Sequence, residues 1–216
     1  MDALSGCTPA FLVEYCLRQG FLLDKAKAQA LSDYLNLLMQ WNKVMNLVGA
    51  KRWRDALDEL VMDSFHLEHF LQEQILMKLP TAPEIWDLGA GAGLPGIPLR
   101  ILWQDGTYWL VEAREKRAIF LSTVLARQTL PGTRVFRGRA EVFMRDKKAD
   151  LIVSRAFMPW RELLEFVHGF LRPGGVVVFL SLEEFHTPPG TDWLKVGHYV
   201  YETGKETRHF CAFSAV

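Results

Sequence analysis

The sequence predicts an α/β fold with a mostly parallel, doubly wound sheet, preceded by a helical region. Three observations carry this expectation. Beyond Pro83, short strand-like runs alternate with helical stretches; before it, apolar residues recur at helical spacing; and the first strand runs straight into a glycine-rich loop.

The helical region comes first. Thr8-Pro9 offers an N-cap with a first-turn proline, and Gly20 a stop. A second helix is expected over about 24–40, where Ala30, Leu31, Tyr34, Leu35 and Leu38 keep helical spacing. A third, over about 54–76, places Leu57, Leu60, Val61, Phe65 and Leu67 on one broad face. Leu79-Pro80-Thr81-Ala82-Pro83 ends this regime. Residues 1–80 therefore read as a helical extension and 81–216 as the main domain, the two expected to form one compact unit.

The main domain reads as strands over 84–88, 107–112, 133–137, 149–154 and 175–181. Helices are expected over 95–103, 114–128 and 159–171, with a short turn around 141–145. This alternation specifies βαβ units. Two late runs, 193–201 and 208–213, have no helix between them and read as an antiparallel pair at the sheet's end, making seven strands.

Composition narrows the class. Half of the 216 residues are apolar and 23% are charged, which excludes a disordered chain. The longest nearly apolar run, 175–182, is far short of the roughly 20 residues of a membrane span. The opening Met1-Asp2-Ala3 has no basic flank or apolar stretch after it, so a cytoplasmic protein is expected. Cys7, Cys16 and Cys211 are an odd number without CxxC spacing, which argues against a disulfide framework or zinc. His66 and His69 share a helix face but lack further ligands, so no metal is expected. Formal charge is zero, yet residues 112–148 carry ten basic against four acidic side chains. That stretch is either a solvated surface or a face for a polyanion.

The chemistry concentrates in Asp87-Leu88-Gly89-Ala90-Gly91-Ala92-Gly93, where a buried strand meets glycine at every second position and then a helix. Such glycines let the backbone turn sharply and let a ligand approach where a Cβ would collide. At the carboxyl end of a parallel strand, this is a nucleotide crevice. Gly91-Ala92-Gly93-Leu94-Pro95-Gly96 also fits the dinucleotide pattern, but starts beyond the strand and places Pro95, which has no N–H, where a phosphate would sit. The frame beginning at Asp87 is flush with the strand and has the pattern of S-adenosylmethionine-dependent methyltransferases. Asp87, Gly89, Gly91 and Gly93 are its candidate cofactor residues. Glu112, ending the next strand, is placed to accept from ribose hydroxyls, or to cap the helix before Arg114, or both. Leu171-Arg172-Pro173-Gly174-Gly175, before an apolar strand, adds weight to methyl transfer. The fold expected is thus the class I methyltransferase fold, Rossmann-like, with a helical extension.

Several segments together resemble the bacterial ribosomal RNA small subunit methyltransferase G family, also called glucose-inhibited division protein B. They are Trp41-Asn42-Lys43-Val44-Met45-Asn46-Leu47, Met62-Asp63-Ser64-Phe65, Asp87 through Pro98, Lys116-Arg117-Ala118-Ile119-Phe120-Leu121, Ser154-Arg155-Ala156-Phe157 and Arg208-His209. The resemblance implies methyl transfer from S-adenosylmethionine to N7 of a guanine in 16S rRNA (guanine 527 in the usual rRNA numbering). It implies cofactor contacts at Gly89, Leu94, Ala140, Glu141 and Arg155, with Arg155 also beside the guanine. The implied partner is 16S rRNA or an assembling small subunit, bound by a monomer. Two positions depart from the family: Leu60 stands where a histidine is usual, and Ser181-Leu182 where Lys-Gly is usual. Guanine N7 has a free lone pair, so no general base is demanded and none is assigned. Arg114, Lys116 and Arg117 are the candidate RNA contacts. Two rivals stay open: a nicotinamide-dependent oxidoreductase using the second glycine frame, and a cofactor- and RNA-binding module without activity.

Overall fold

The computed structural model describes residues 6–183, 186 and 192–215. Its sheet has seven strands: β1 (Glu84–Leu88), β2 (Thr107–Glu112), β3 (Thr133–Arg137), β4 (Ala149–Arg155), β5 (Leu171–Ser181), β6 (Trp193–Glu202) and β7 (Thr207–Ala215). The order is β3-β2-β1-β4-β5-β7-β6, with β7 antiparallel to both of its neighbours. β1 and β4 are buried along nearly their whole length, as expected of central parallel strands covered on both faces. The chain leaves β1 toward β2 and returns to β4 on its other side. That reversal opens a crevice at the carboxyl ends.

The extension comprises α1 (Pro9–Arg18), α2 (Lys25–Met45), α3 (Trp53–Ala56) and α4 (Met62–Phe70). Thr8 caps α1 by accepting from the Phe11 N–H, and Asp24 caps α2 by accepting from that of Lys27. α2 runs five residues beyond its expected end at 40, to a C-cap at Asn46 in the left-handed conformation. The expected single helix over 54–76 is not one regular helix. Five-residue π-turns at Leu57–Val61 and Leu71–Ile75 flank α4, and a 3₁₀ turn at Leu76–Lys78 ends the segment. Each π-turn widens the local turn and so keeps Leu57, Val61, Leu71 and Ile75 buried on one broad face.

The crossover helices are α5 (Gly96–Leu102), α6 (Glu115–Arg127), the short α7 (Ala140–Met144) and α8 (Trp160–Val167). A 3₁₀ turn, His168–Phe170, follows α8, so the helix is shorter than the expected 159–171. β5 begins at Leu171, ahead of the expected 175. Pairing with β4 jumps from Ala149–Leu171 to Leu151–Val176, and Pro173-Gly174-Gly175 forms an irregularity inside the strand rather than a turn before it.

One apolar core runs from the extension into the sheet, joining Leu31, Leu35 and Phe65 to Ile97, Phe120 and Val153. A second core on the opposite face gathers Trp86, Phe143, Leu163 and Phe213. No helix of the described residues is long and apolar enough to cross a membrane.

Candidate functional site

The loop after β1 is held from three sides. Val111 O accepts from both the Gly89 and the Ala90 N–H at 3.0 Å, folding the loop back over β2. From the extension, the Tyr34 hydroxyl donates to the Ala92 carbonyl at 2.9 Å and Ser64 Oγ to the Pro95 carbonyl at 3.0 Å. All four groups lie in buried surroundings, so a missing partner there leaves a desolvated carbonyl. Tyr34 on α2 and Ser64 on α4 are thus buried polar groups whose partners lie on the loop.

Gly89, Gly91 and Gly93 all have φ between +59° and +80°, a region other residues rarely occupy. Their surroundings differ. A Cβ on Gly89 would lie 2.6 Å from the Phe157 ring, and one on Gly93 2.4 Å from Ile97. Gly91 is open: the nearest side-chain atom to its absent Cβ is Arg117 Nη1 at 3.6 Å. Of these three glycines, Gly91 alone has its Cβ position free of close neighbours.

Glu112 faces that point. Its Oε2 accepts from the Gly91 N–H at 2.8 Å and its Oε1 from the Arg114 N–H at 2.7 Å, with the residue only 5% exposed. Each carboxylate oxygen retains a second lone pair. Glu112 therefore receives the N–H at the head of α6 and keeps a lone pair on each oxygen for a further donor. The Gly138 N–H donates to the Glu112 carbonyl at 3.0 Å, which brings the start of α7 to the same rim. Ala140 is buried there and Glu141 exposed, while Leu94 is half-buried on the glycine loop.

Asp87 is placed differently from the rest. It is 1% exposed, its Oδ2 accepts from the Tyr108 hydroxyl at 3.4 Å, and it lies against Gly96 at the start of α5. Burial pushes its pKa up to about 7; the Tyr108 hydrogen bond opposes this and the Glu112 charge adds to it. Its carboxylate supports the loop from beneath.

At the end of β4, Ala156 takes φ +55° and turns Phe157 onto Gly89. Arg155, one residue earlier, reaches the extension: its Nη1 lies 3.3 Å from Asp63 Oδ2. Asp63 is 2% exposed and also accepts from Arg208 Nη1 at 2.6 Å on both oxygens, and from the Tyr201 hydroxyl. Composition and spacing assigned Asp63, Tyr201 and Arg208 no role. The available signals were an acid directly after the apolar run Leu60-Val61-Met62, and Arg208-His209 directly before the apolar run 210–213.

The basic cluster divides. Arg114, just before α6, and Lys116, in its first turn, are exposed, whereas Arg117 is half-buried and leans over Gly91. Arg137 pairs with Glu115 at 2.7 Å, and Arg134 and Lys147 lie over the Trp109 ring. His66 is enclosed by aromatic rings, 3.7 Å from the stacked Tyr201, with Nδ1 3.0 Å from the Tyr199 hydroxyl. Of the two departures from the family pattern, Leu60 packs against the core and Ser181 ends β5 near Arg155.

A crevice at the switch point, open backbone at Gly91 and a carboxylate ending β2 fit an adenosine-bearing cofactor. The family model for rRNA small subunit methyltransferase G matches residues 27–187. The Ribosomal RNA small subunit methyltransferase G of Nitratidesulfovibrio vulgaris (strain DP4) is 54% identical over 200 residues, covering 92% of this chain and 90% of that protein. The protein of the same name from Lawsonia intracellularis is 48% identical, covering 92% of each. Among solved structures, a mutant of MtNAS in complex with S-adenosylmethionine superposes with TM-score 0.57 at 14% identity, over 96% of this chain and 78% of that one; at that identity it shows the fold alone. The chain belongs to the rRNA small subunit methyltransferase G family.

Proposed function

We propose that this protein transfers a methyl group from S-adenosylmethionine to N7 of guanine 527 of 16S rRNA, in the cytoplasm and as a monomer. Family membership makes it an S-adenosylmethionine-dependent rRNA methyltransferase. The observation that carries the cofactor part is the Gly91–Glu112 pair: a half-buried glycine with open space where a Cβ would stand, and a buried carboxylate with spare acceptors, at adjoining strand ends.

The cofactor supplies an electrophilic methyl on a sulfonium centre. The residues of this chain do the rest by binding and placement. Glu112 would hold the ribose hydroxyls, Gly91 would admit the cofactor backbone-first beside Gly89, and Leu94, Ala140 and Glu141 would line the same rim. Arg155, anchored by Asp63, stands at the end of β4. No proton must leave N7 before it attacks, so the acceleration comes from alignment and from excluding water. The guanine must be unstacked to reach such a crevice, which suits an RNA loop. Arg114 and Lys116 supply phosphate contacts outside it.

The test is transfer of labelled methyl into small-subunit RNA and into partly assembled particles, with the modified position mapped by reduction and aniline cleavage, which breaks the chain at N7-methylguanine. Label at another position, or at another atom of guanine, overturns the specificity while leaving the methyltransferase intact.

A further inference from the structure

A cavity of about 210 Å³ adjoins Arg155 on the side away from the glycine loop, walled by Leu180, Ser181, Glu206, Arg208 and His209. We propose that this cavity receives the target guanine, and that Glu206 and Arg208 together read its Watson–Crick edge. The proposal rests on the methyl-transfer reading of the neighbouring rim.

Four observations converge. The first is position: Gly91 and Glu112 stand at the ends of β1 and β2, and Arg155 and Ser181 at the ends of β4 and β5, so rim and cavity flank the switch point from opposite sides. The second is size. The volume lies below the roughly 300–1,000 Å³ of pockets for drug-sized ligands, and suits one ring system. The third is charge. Asp63 and Glu206 offset Arg155 and Arg208, leaving a balanced cavity that favours a neutral base over a phosphate. The fourth is polarity. Arg208 Nε and His209 Nδ1 are buried without a hydrogen-bond partner, which is rare in folded proteins.

The chemistry is complementary to guanine. Its N1–H and 2-amino group are donors beside the O6 acceptor. Glu206 is a carboxylate held beside a guanidinium by its ion pair with Arg208. The carboxylate accepts the two guanine donors while the arginine donates toward O6. Adenine offers an acceptor at N1, which faces the carboxylate with no proton between them. N7 lies on the other edge of the base and stays uncovered for attack.

The experiment is single-turnover methyl transfer to small-subunit RNA carrying guanine or inosine at the target position, with wild type and Glu206→Gln. Inosine lacks only the 2-amino group and keeps N7. Wild type is expected to favour guanine by about ten- to a hundred-fold, the loss of a hydrogen bond to a charged group. Glu206→Gln should slow transfer to guanine RNA by a comparable factor and reduce the guanine preference to within about three-fold, with S-adenosylmethionine affinity unchanged by calorimetry. A wild-type preference near one, or an equal preference in both proteins, overturns the pocket assignment and leaves methyl transfer standing. No transfer by wild type to guanine RNA overturns the underlying reading instead.

Discussion

The Glu112 carboxylate receives the Gly91 N–H at 2.8 Å, tying the end of β2 to the loop that follows β1. With the Arg114 N–H on its other oxygen, the side chain is fixed before any ligand arrives. Glu112→Gln keeps the size but removes the charge, and its amide nitrogen cannot accept. Bonds from neutral donors to a carboxylate contribute about 1.5–3 kcal/mol each. Affinity for S-adenosylmethionine should fall at least ten-fold, with little change in transfer rate at saturating cofactor. Calorimetric titration checks this; wild-type affinity would leave Glu112 only its capping role.

Gly91→Val should abolish cofactor binding and leave the fold largely intact. The position is open apart from the movable Arg117 guanidinium, and the left-handed φ of +59° adds about 1–2 kcal/mol of strain for a residue with a Cβ. Circular dichroism reports the fold and titration the binding. A folded variant that binds normally would show that the ligand does not approach here.

Asp63→Ala should cost about 3–5 kcal/mol of stability, since it strips the carboxylate from a pair whose side chains are 3% and 12% exposed and leaves Arg208 a buried charge without it. Urea unfolding measures this directly. A loss under 1 kcal/mol would mean that Arg208 finds other partners.

The contribution of Asp87 to stability should fall as pH rises from about 4 to about 7. Its folded pKa of about 7 lies above the ordinary value of 3.8, so between these limits the folded state holds a proton that the unfolded state has released. The Asp87 contribution therefore declines with rising pH across that window, while His66, whose pKa burial lowers to about 4, contributes in the opposite sense. Asp87→Asn should remove this contribution, seen as a more positive slope of unfolding free energy against pH between 4 and 7 than in wild type. Parallel slopes for the two proteins would refute the raised value.

Replacing Arg114 and Lys116 together with Gln should weaken RNA binding across sequences. If each contacts one phosphate, the slope of log affinity against log salt should flatten by about 1.4, at roughly 0.7 per phosphate of single-stranded RNA. Cofactor affinity should stay unchanged. Identical slopes would return these side chains to a purely solvating role.

The seven strands were legible because alternation of apolar runs with helical stretches is a local signal. The glycine loop was legible because three glycines flush with a strand have few other uses. The Asp63 cluster was not. Its partners Tyr201 and Arg208 lie 138 and 145 residues away, and only the packing of α4 against β6 and β7 joins them. Arg117 was grouped with its basic neighbours because charge along a sequence does not say which face of a helix carries it. The π-turns around α4 escaped for a similar reason: spacing at 3.6 residues per turn has no term for an inserted residue.

Tyr34 and Ser64 reach from the extension to the carbonyls of Ala92 and Pro95. The fold's nucleotide crevice therefore has part of its wall supplied from outside the sheet. An α/β core severed from these helices would lose more than stability, because the shape of its cofactor loop is a joint product of both halves. The two halves cannot then drift independently in evolution: a change in α2 or α4 that altered either hydroxyl would be felt first in the shape of a loop that belongs to the sheet.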